Sequence, residues 1–446
     1  MTSVPTTHGV LEEQLGLSRI AHNLQSVVKL GETVVMNAPR KIDPCCAWDA
    51  GSLSRCLPST QPSPHLGILF DIGGTHTKVA ARTPSGEWAL LFDHLNDWFQ
   101  PRRDTTLSPL RGFFRVIIEE LLSSLPTLKT QKMPLRIAVI WSNQIETKRF
   151  AAGSTSGVTG VVHGFQNGSY RKGEWFLKEI SNGDDLGALL LAELAHAGLS
   201  PERLVIGNDT IFTLFAVPGA HSGVVVSSGG NCTLVGTDDS DRDELYNSEL
   251  GALFSLPHSA LSLGDEAFAK GREVLTLSLE ELSAGNWFPQ MLSAHVITAA
   301  KLPAGVALSP IAKAIESNEL RITNAALCRL LESDSDIFNS FTDDSRMYLR
   351  ALTISLVRRA AMLAGIMTYL SVVNQLKAGL PSASVSLDSS MSRYFPGYFD
   401  HLKECVASIT PRGREVRVSL VHPIQLAGGG DISVPLQGAA LALAAQ

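Results

Sequence analysis

Two rhythms of apolar and polar positions alternate along this 446-residue chain. Between residues 10 and 35, Leu11, Leu15, Ile20, Leu24, Val27 and Val28 recur at three- and four-residue steps, which predicts helix. Residues 37–65 are rich in Pro, Ser and Cys and read as an irregular connector. Short apolar runs at 66–70, 79–82 and 88–92 then predict successive strands of one antiparallel set. Residues 110–125 have a helical pattern, and LRIAVIW (135–141) reads as a buried strand. The stretch 143–175 is rich in Gly, Ser, Thr and Asn with little periodicity, and reads as a long functional or mobile loop region. Helix is expected again at 186–197 and short apolar strands at 204–206 and 223–227. Helices dominate thereafter, with 348–376 the longest, interrupted by late strands at 385–387 and 416–420; a small-residue helix closes the chain at 436–445.

Three of these apolar strands run into polar loops: DIGGTHTK (71–78), GNDT (207–210) and SSGGN (227–231). Ligands gather where strands end and loops begin. A pair of glycines between two strands is what a hairpin turn uses, because Gly reaches backbone angles closed to other residues. It is equally what a phosphate cradle uses: Gly73 and Gly74 let backbone N–H groups approach an anion, Thr75 and Thr77 offer hydroxyls, Lys78 adds charge, and Asp71 is placed to face the accompanying metal. GNDT by itself is a turn or helix cap. Beside two glycine loops, its Asp209 offers the carboxylate that phosphoryl transfer to an alcohol needs, orienting the hydroxyl and accepting its proton.

Composition narrows the field. With 44% apolar residues the chain can bury large cores, and its length suits two domains. A net charge of −6 argues against a nucleic-acid surface. Six cysteines, scattered singly apart from Cys45-Cys46, follow neither zinc-ligand spacing nor a disulfide framework, so a reducing compartment is expected. The first residues, MTSVPTTHGVLEEQLG, lack the basic start and apolar core of a signal peptide. The nearest approach to a spanning segment, 351–373, contains Arg358 and Arg359. The expectation is a cytoplasmic protein without membrane or nucleic-acid partners.

The ordered set of motifs resembles the eukaryotic-type hexokinases, within the sugar-kinase and actin superfold. DIGGTHTK resembles that family's first phosphate loop, GNDTIFTL its Asn-Asp-Thr segment, and SSGGN its second phosphate loop followed by a sugar-binding Asn. NSELGALF (247–254) resembles its Glu-Trp-Gly-Ala-Phe stretch, and LEELSAGNWF (279–288) falls where a second sugar-binding Glu is expected. LLESDSD (330–336), VRRAAMLAGI (357–366), LDSSMSRYFPGYFDHLKECV (387–406) and GGGDISVPLQGAALALAA (428–445) follow in the family's order, and GSLSRCLPS (51–59) matches its lead-in to the first strand. The likeness covers nearly the whole chain.

The resemblance implies an α/β, two-domain actin-like ATPase (ribonuclease H-like) fold with a cleft. Residues 1–65 would belong to the large domain, 66–208 would form the small domain, 209–433 the large one, and 434–446 a helix returning to the small one. It implies Asp209 as general base, aided by Lys172 (or Lys178 in the other alignment), with Ser142, Asn208, Asn231, Glu249 and Glu280 holding a sugar. Asp71, Gly73, Gly74, Thr75, Lys78, Ser228, Gly229 and Ser433 would hold ATP, and Mg2+ would be bound mainly by phosphates and water rather than by side chains. A monomer or homodimer is expected.

Departures from the pattern point to its substrate. Neither candidate Lys is preceded by the family's sugar-contacting Thr, the segment 143–171 is longer than its counterpart, and Ser227-Ser228 and Ser389 replace the usual Gly-Thr and Gly. These leave two expectations: a kinase for a hexose or hexose-like polyol other than plain glucose, or a weakly active, sugar-binding regulator.

Overall fold

The structure, a computed structural model, describes residues 7–37, 65–73, 76–99, 102, 106–142, 145–162, 183–226, 230–237, 243–248, 250–272, 274, 276–332 and 336–444. Two sheets organise it. The first contains β1 (Leu66–Ile72), β2 (His76–Arg82), β3 (Trp88–Leu95), β4 (Leu135–Trp141), β5 (Ile145–Ala152), β6 (Thr155–Val162) and β7 (Arg203–Gly207), in the order β3-β2-β1-β4-β7-β6-β5. The second contains β8 (Ser222–Val226), β9 (Gly230–Thr237), β10 (Asp243–Asn247), β11 (Ser382–Ser389) and β12 (Glu415–Leu420), in the order β10-β9-β8-β11-β12.

Both sheets repeat one plan. Three strands form an antiparallel meander (β1-β2-β3 and β8-β9-β10), and two more join the first strand in parallel (β4 and β7; β11 and β12). β1 and β4 are near-continuous apolar runs, LGILF and LRIAVIW, which is what burial on both faces demands. Helices supply the cover. Pro109–Ser124 and Leu186–His196 pack with the first sheet, and so does the closing helix Val434–Ala444, which lies on β1 and β4.

The sequence reading made 143–175 a loop, but part of it is the β5–β6 hairpin, which extends the first sheet beyond β7. Gly157 and Gly160 of the hairpin serve packing. A Cβ on Gly157 would lie 1.8 Å from the Leu204 carbonyl oxygen, so only glycine lets β6 run against β7. Residues 163–182 lie outside the described residues.

The second core is larger and mainly helical. Leu11, Leu15, Ile20, Val27 and Val28 of the N-terminal helices lie in it, as their spacing predicts. The longest helix is Asp343–Leu370, capped by Thr342; a short break separates it from Val373–Lys377, where the sequence suggests one continuous helix. That long helix is apolar enough to span a bilayer by length and composition, yet most of it is buried in this core. Arg359 on it is ion-paired with the fully buried Asp265.

The helix Asp209–Phe215 sits at the junction of the two halves. Its Ile211, Phe212, Leu214 and Phe215 belong to the first core, so that core continues past the boundary expected at 208/209. It is wedged between two glycines. A Cβ on Gly438 of the closing helix would lie 1.7 Å from the Phe212 carbonyl oxygen, and one on Gly223 of β8 would lie 2.2 Å from that of Thr210. Contacts this tight leave the helix little room to shift.

Candidate active site

β1, β4 and β7 are parallel neighbours, so their carboxyl ends share one edge, and two of the polar loops, those at the ends of β1 and β7, begin there. At the end of β1 the chain turns tightly: Gly73 N–H donates to the His76 carbonyl at 2.9 Å. The turn is braced from β2 and the segment after β3. Asn96 Nδ2 donates to the Gly73 carbonyl at 2.8 Å, and Thr77 Oγ1 donates to Asn96 Oδ1 at 2.8 Å. Ser142, just after β4, donates its N–H to Ile72 O at 3.3 Å, and a Cβ on Gly73 would lie 3.9 Å from its hydroxyl oxygen. Asp71, Gly73 and Ser142 thus lie at adjacent strand ends.

After β7 come Asn208 and Asp209. Asn208 caps the helix Asp209–Phe215: its Oδ1 accepts from Thr210 N–H and from Thr210 Oγ1, both at 3.1 Å. The same oxygen accepts from Asn247 Nδ2 at 3.2 Å, and Asn208 Nδ2 donates to the Trp141 carbonyl at 3.3 Å. Asn208 is fully buried, whereas Asp209 is only half-buried, its Oδ1 accepting from Thr210 N–H at 2.8 Å. Of the two residues expected to meet a sugar, one has its oxygen filled by the fold and the other remains partly open to solvent.

Asn247 ends β10 of the second sheet, two residues before Glu249, and the short helix Leu250–Leu253 follows. From there the chain is stitched to the segment of Glu280: Leu256 N–H donates to Leu277 O at 2.9 Å, and Leu279 N–H donates to Phe254 O at 3.0 Å. Glu280 lies in the first turn of Leu279–Ser283, where Ser278 and Glu281 form a capping box and Glu281 also pairs with Arg272. Glu280 is half-buried.

The nucleotide-side residues show a charge pattern of their own. Burial lifts the Asp71 carboxyl to about 6, against a hydrogen bond from Ser433 Oγ at 2.8 Å and the more distant Lys78, and Asp388 adds to the rise. Ser433, just before the closing helix, thus lies beside the end of β1. Asp388, at the end of β11, is also raised by burial, with Arg393 Nη1 at 2.6 Å opposing. Lys78 departs from expectation. Rather than lending a free charge to phosphate, it pairs with Asp431 at 2.9 Å and Asp93 at 3.3 Å, because the hairpin of β13 (Ile424–Gln425) and β14 (Asp431–Ile432) brings a carboxylate to it.

Gly74, Thr75, Lys172, its alternative Lys178, Ser228, Gly229 and Glu249 lie outside the described residues; Asn231 is placed on β9 opposite Val225 by its backbone alone. Asn247, Asp388 and Asp431 lie within the sequence motifs but take no role from sequence alone, since their partners are 39, 5 and 353 positions away.

No protein-family model matches the sequence, and no curated protein does. Solved structures do. The hexokinase from Schistosoma mansoni complexed with glucose superposes with a TM-score of 0.62 at 14% identity, covering 98% of each chain. A second hexokinase structure gives 0.61 at 15% identity, covering 98% of this chain and 99% of that one. The duplicated strand plan and these end-to-end superpositions establish an α/β, two-domain actin-like ATPase fold in the arrangement seen in hexokinases.

Proposed function

We propose that this chain is an ATP-dependent sugar kinase that transfers the γ-phosphoryl group to a primary hydroxyl of a hexose or hexose-like polyol. The observation that carries the reading is Asp209: a half-buried carboxylate at the start of a helix wedged between the two halves, beside the strand ends that hold Asp71 and Ser142. In this reading Asp209 takes the proton of the attacking hydroxyl, a contribution on the order of 10² to 10⁴ in rate. Ser142, Asn231, Glu249 and Glu280 orient the remaining hydroxyls, with Lys172 near the reacting group. Asn208, its oxygen already filled, contributes through the cap more than through contact.

The nucleotide side fits a magnesium–nucleotide complex better than a bare polyphosphate. Asp71 feels the charge of the buried Asp388, Ser433 adds a hydroxyl, and Lys78 is already neutralised. Such oxygen donors suit a hard cation that keeps most of its own waters. Bound Mg-ATP supplies the phosphoryl group and the positive charge that offsets these carboxylates.

The test is ADP release with Mg-ATP across glucose, fructose, mannose, glucosamine, N-acetylglucosamine and aminocyclitols. Turnover with at least one of them is expected. Sugar binding by calorimetry without turnover would replace the kinase with a sugar-binding regulator, and neither binding nor turnover would overturn both.

A further inference from the structure

We infer that Asn247 is a positioning residue that sets Asp209 through Asn208 and carries the position of the second sheet into the site; for its catalytic consequence the inference rests on the kinase reading above. Asn247 is 1% exposed and ends β10, whereas Asn208 ends the loop after β7 of the first sheet. The bond from Asn247 Nδ2 to Asn208 Oδ1 at 3.2 Å therefore joins the two halves at the residue before Asp209.

Chemistry makes this bond directional. The Asn208 oxygen receives three donors: the Thr210 amide, the Thr210 hydroxyl and the Asn247 amide. Its own amide nitrogen donates to the Trp141 carbonyl at the end of β4. The side-chain plane of Asn208 is thus held on one side by the first sheet and on the other by the second. Because Asn208 is the cap of the helix that Asp209 begins, that plane fixes where the first turn starts. Removing the Asn247 donor would let the cap rotate without removing any group that touches substrate. The glycine contacts at Gly223 and Gly438 hold the helix from Thr210 onward, so the freedom gained is confined to its start at Asn208 and Asp209.

A residue that acts this way lowers kcat and leaves sugar affinity alone, since small misplacement of a reacting group costs up to about 10²-fold in rate. Asn247→Ala is expected to lower kcat about 10- to 100-fold with the sugar KM changed less than about threefold. Asn208→Ala should lower kcat as well, and the double variant should lose no more than Asn208→Ala alone, because one residue acts through the other. Hydrogen exchange at the Thr210 amide should quicken in Asn247→Ala while the melting curve keeps one cooperative transition. If Asn247→Ala does not fold, Asn247→Ser, which keeps a donor in a smaller side chain, takes its place and should retain more rate than its loss of volume alone allows.

A raised KM with kcat unchanged would make Asn247 a sugar ligand and overturn the inference. Additive losses in the double variant, or unchanged Thr210 exchange, would do the same. Should the wild-type protein turn over no sugar, the kinase reading falls, and Thr210 exchange alone then decides the bracket: faster exchange in Asn247→Ala supports it, and equal exchange removes it.

Discussion

The two halves share a strand plan and both pair buried carboxylates with arginine, whereas Asp71 at the end of β1 is held by a serine. In the half built on β8–β12, Asp265 faces Arg359, with Nη1 at 3.0 Å, and Asp388 faces Arg393 at 2.6 Å. In the half built on β1–β7, Glu193 faces both Arg111 at 2.6 Å and Arg115 at 2.9 Å; burial would raise its pKa, but these bonds outweigh it and hold it low. Asp71 stands apart. A serine hydroxyl is its hydrogen-bond partner, the nearest lysine is engaged by Asp431 and Asp93, and its carboxyl is lifted to about 6. Asp265 and Glu193, both buried and paired with arginine, brace the architecture. Asp71, at a strand end with a serine for company, is the carboxylate to which the proposed function gives a nucleotide role.

The sharpest way to break this contrast is at the catalytic end. Asp209→Ala should lower kcat by on the order of 10² to 10⁴ with little change in melting temperature, as expected of a base rather than a prop. Steady-state kinetics beside a thermal melt separates the two, and a large melting shift with a modest rate loss would reverse the assignment.

Next comes a paired carboxylate. Arg359→Leu strands the buried Asp265 without its cation and should destabilise the fold by about 3–5 kcal/mol in urea unfolding. A loss below about 1 kcal/mol, typical of exposed ion pairs, would show that the pair is not architectural.

Asp71→Asn should act with the opposite sign on stability. The folded-state pKa of Asp71 is raised, from 3.8 to about 6, so the folded protein holds this proton where the unfolded chain has lost it. Asp71 therefore favours folding below about pH 4, and stability falls as pH rises toward 6. The variant should be more stable than wild type above pH 6, by about 1–3 kcal/mol, and equal to it below pH 4. It should also lose activity with Mg-ATP. Unfolding curves at several pH values check the first claim, and equal stability at pH 7 would contradict it.

The smallest effect belongs to the partly exposed pair of Lys78 and Asp431. Asp431→Asn should cost at most about 1 kcal/mol, and less in high salt, because such pairs are screened. Salt-dependent melting measures it.

Much of this architecture was legible in the chain. Runs such as LGILF and LRIAVIW announce buried strands, and the polar stretches at the ends of β1 and β7 mark neighbouring strand ends of the first sheet. The β5–β6 hairpin was hidden because Gly157 reads as loop when it is there to pass close to β7. The destinations of Lys78 and Asn208 were hidden for another reason. Each is decided by a partner distant in sequence, Asp431 or Asn247, and local pattern carries no trace of such pairing. Asn208 illustrates the cost: the same Asn-Asp-Thr stretch reads as a helix cap or as a sugar site, and in the fold Asn208 makes the cap while Asp209 remains half-buried.

The central claim is most directly tested by following the phosphoryl group. The protein is incubated with Mg-ATP and each hexose of the panel, and products are identified by mass spectrometry and phosphorus NMR, with Asp209→Ala alongside. The account predicts a hexose monophosphate bearing its phosphate on the primary hydroxyl, formed one for one with ADP and nearly abolished in the variant. ADP formed without any sugar phosphate, or a sugar phosphate formed equally by the variant, would contradict it.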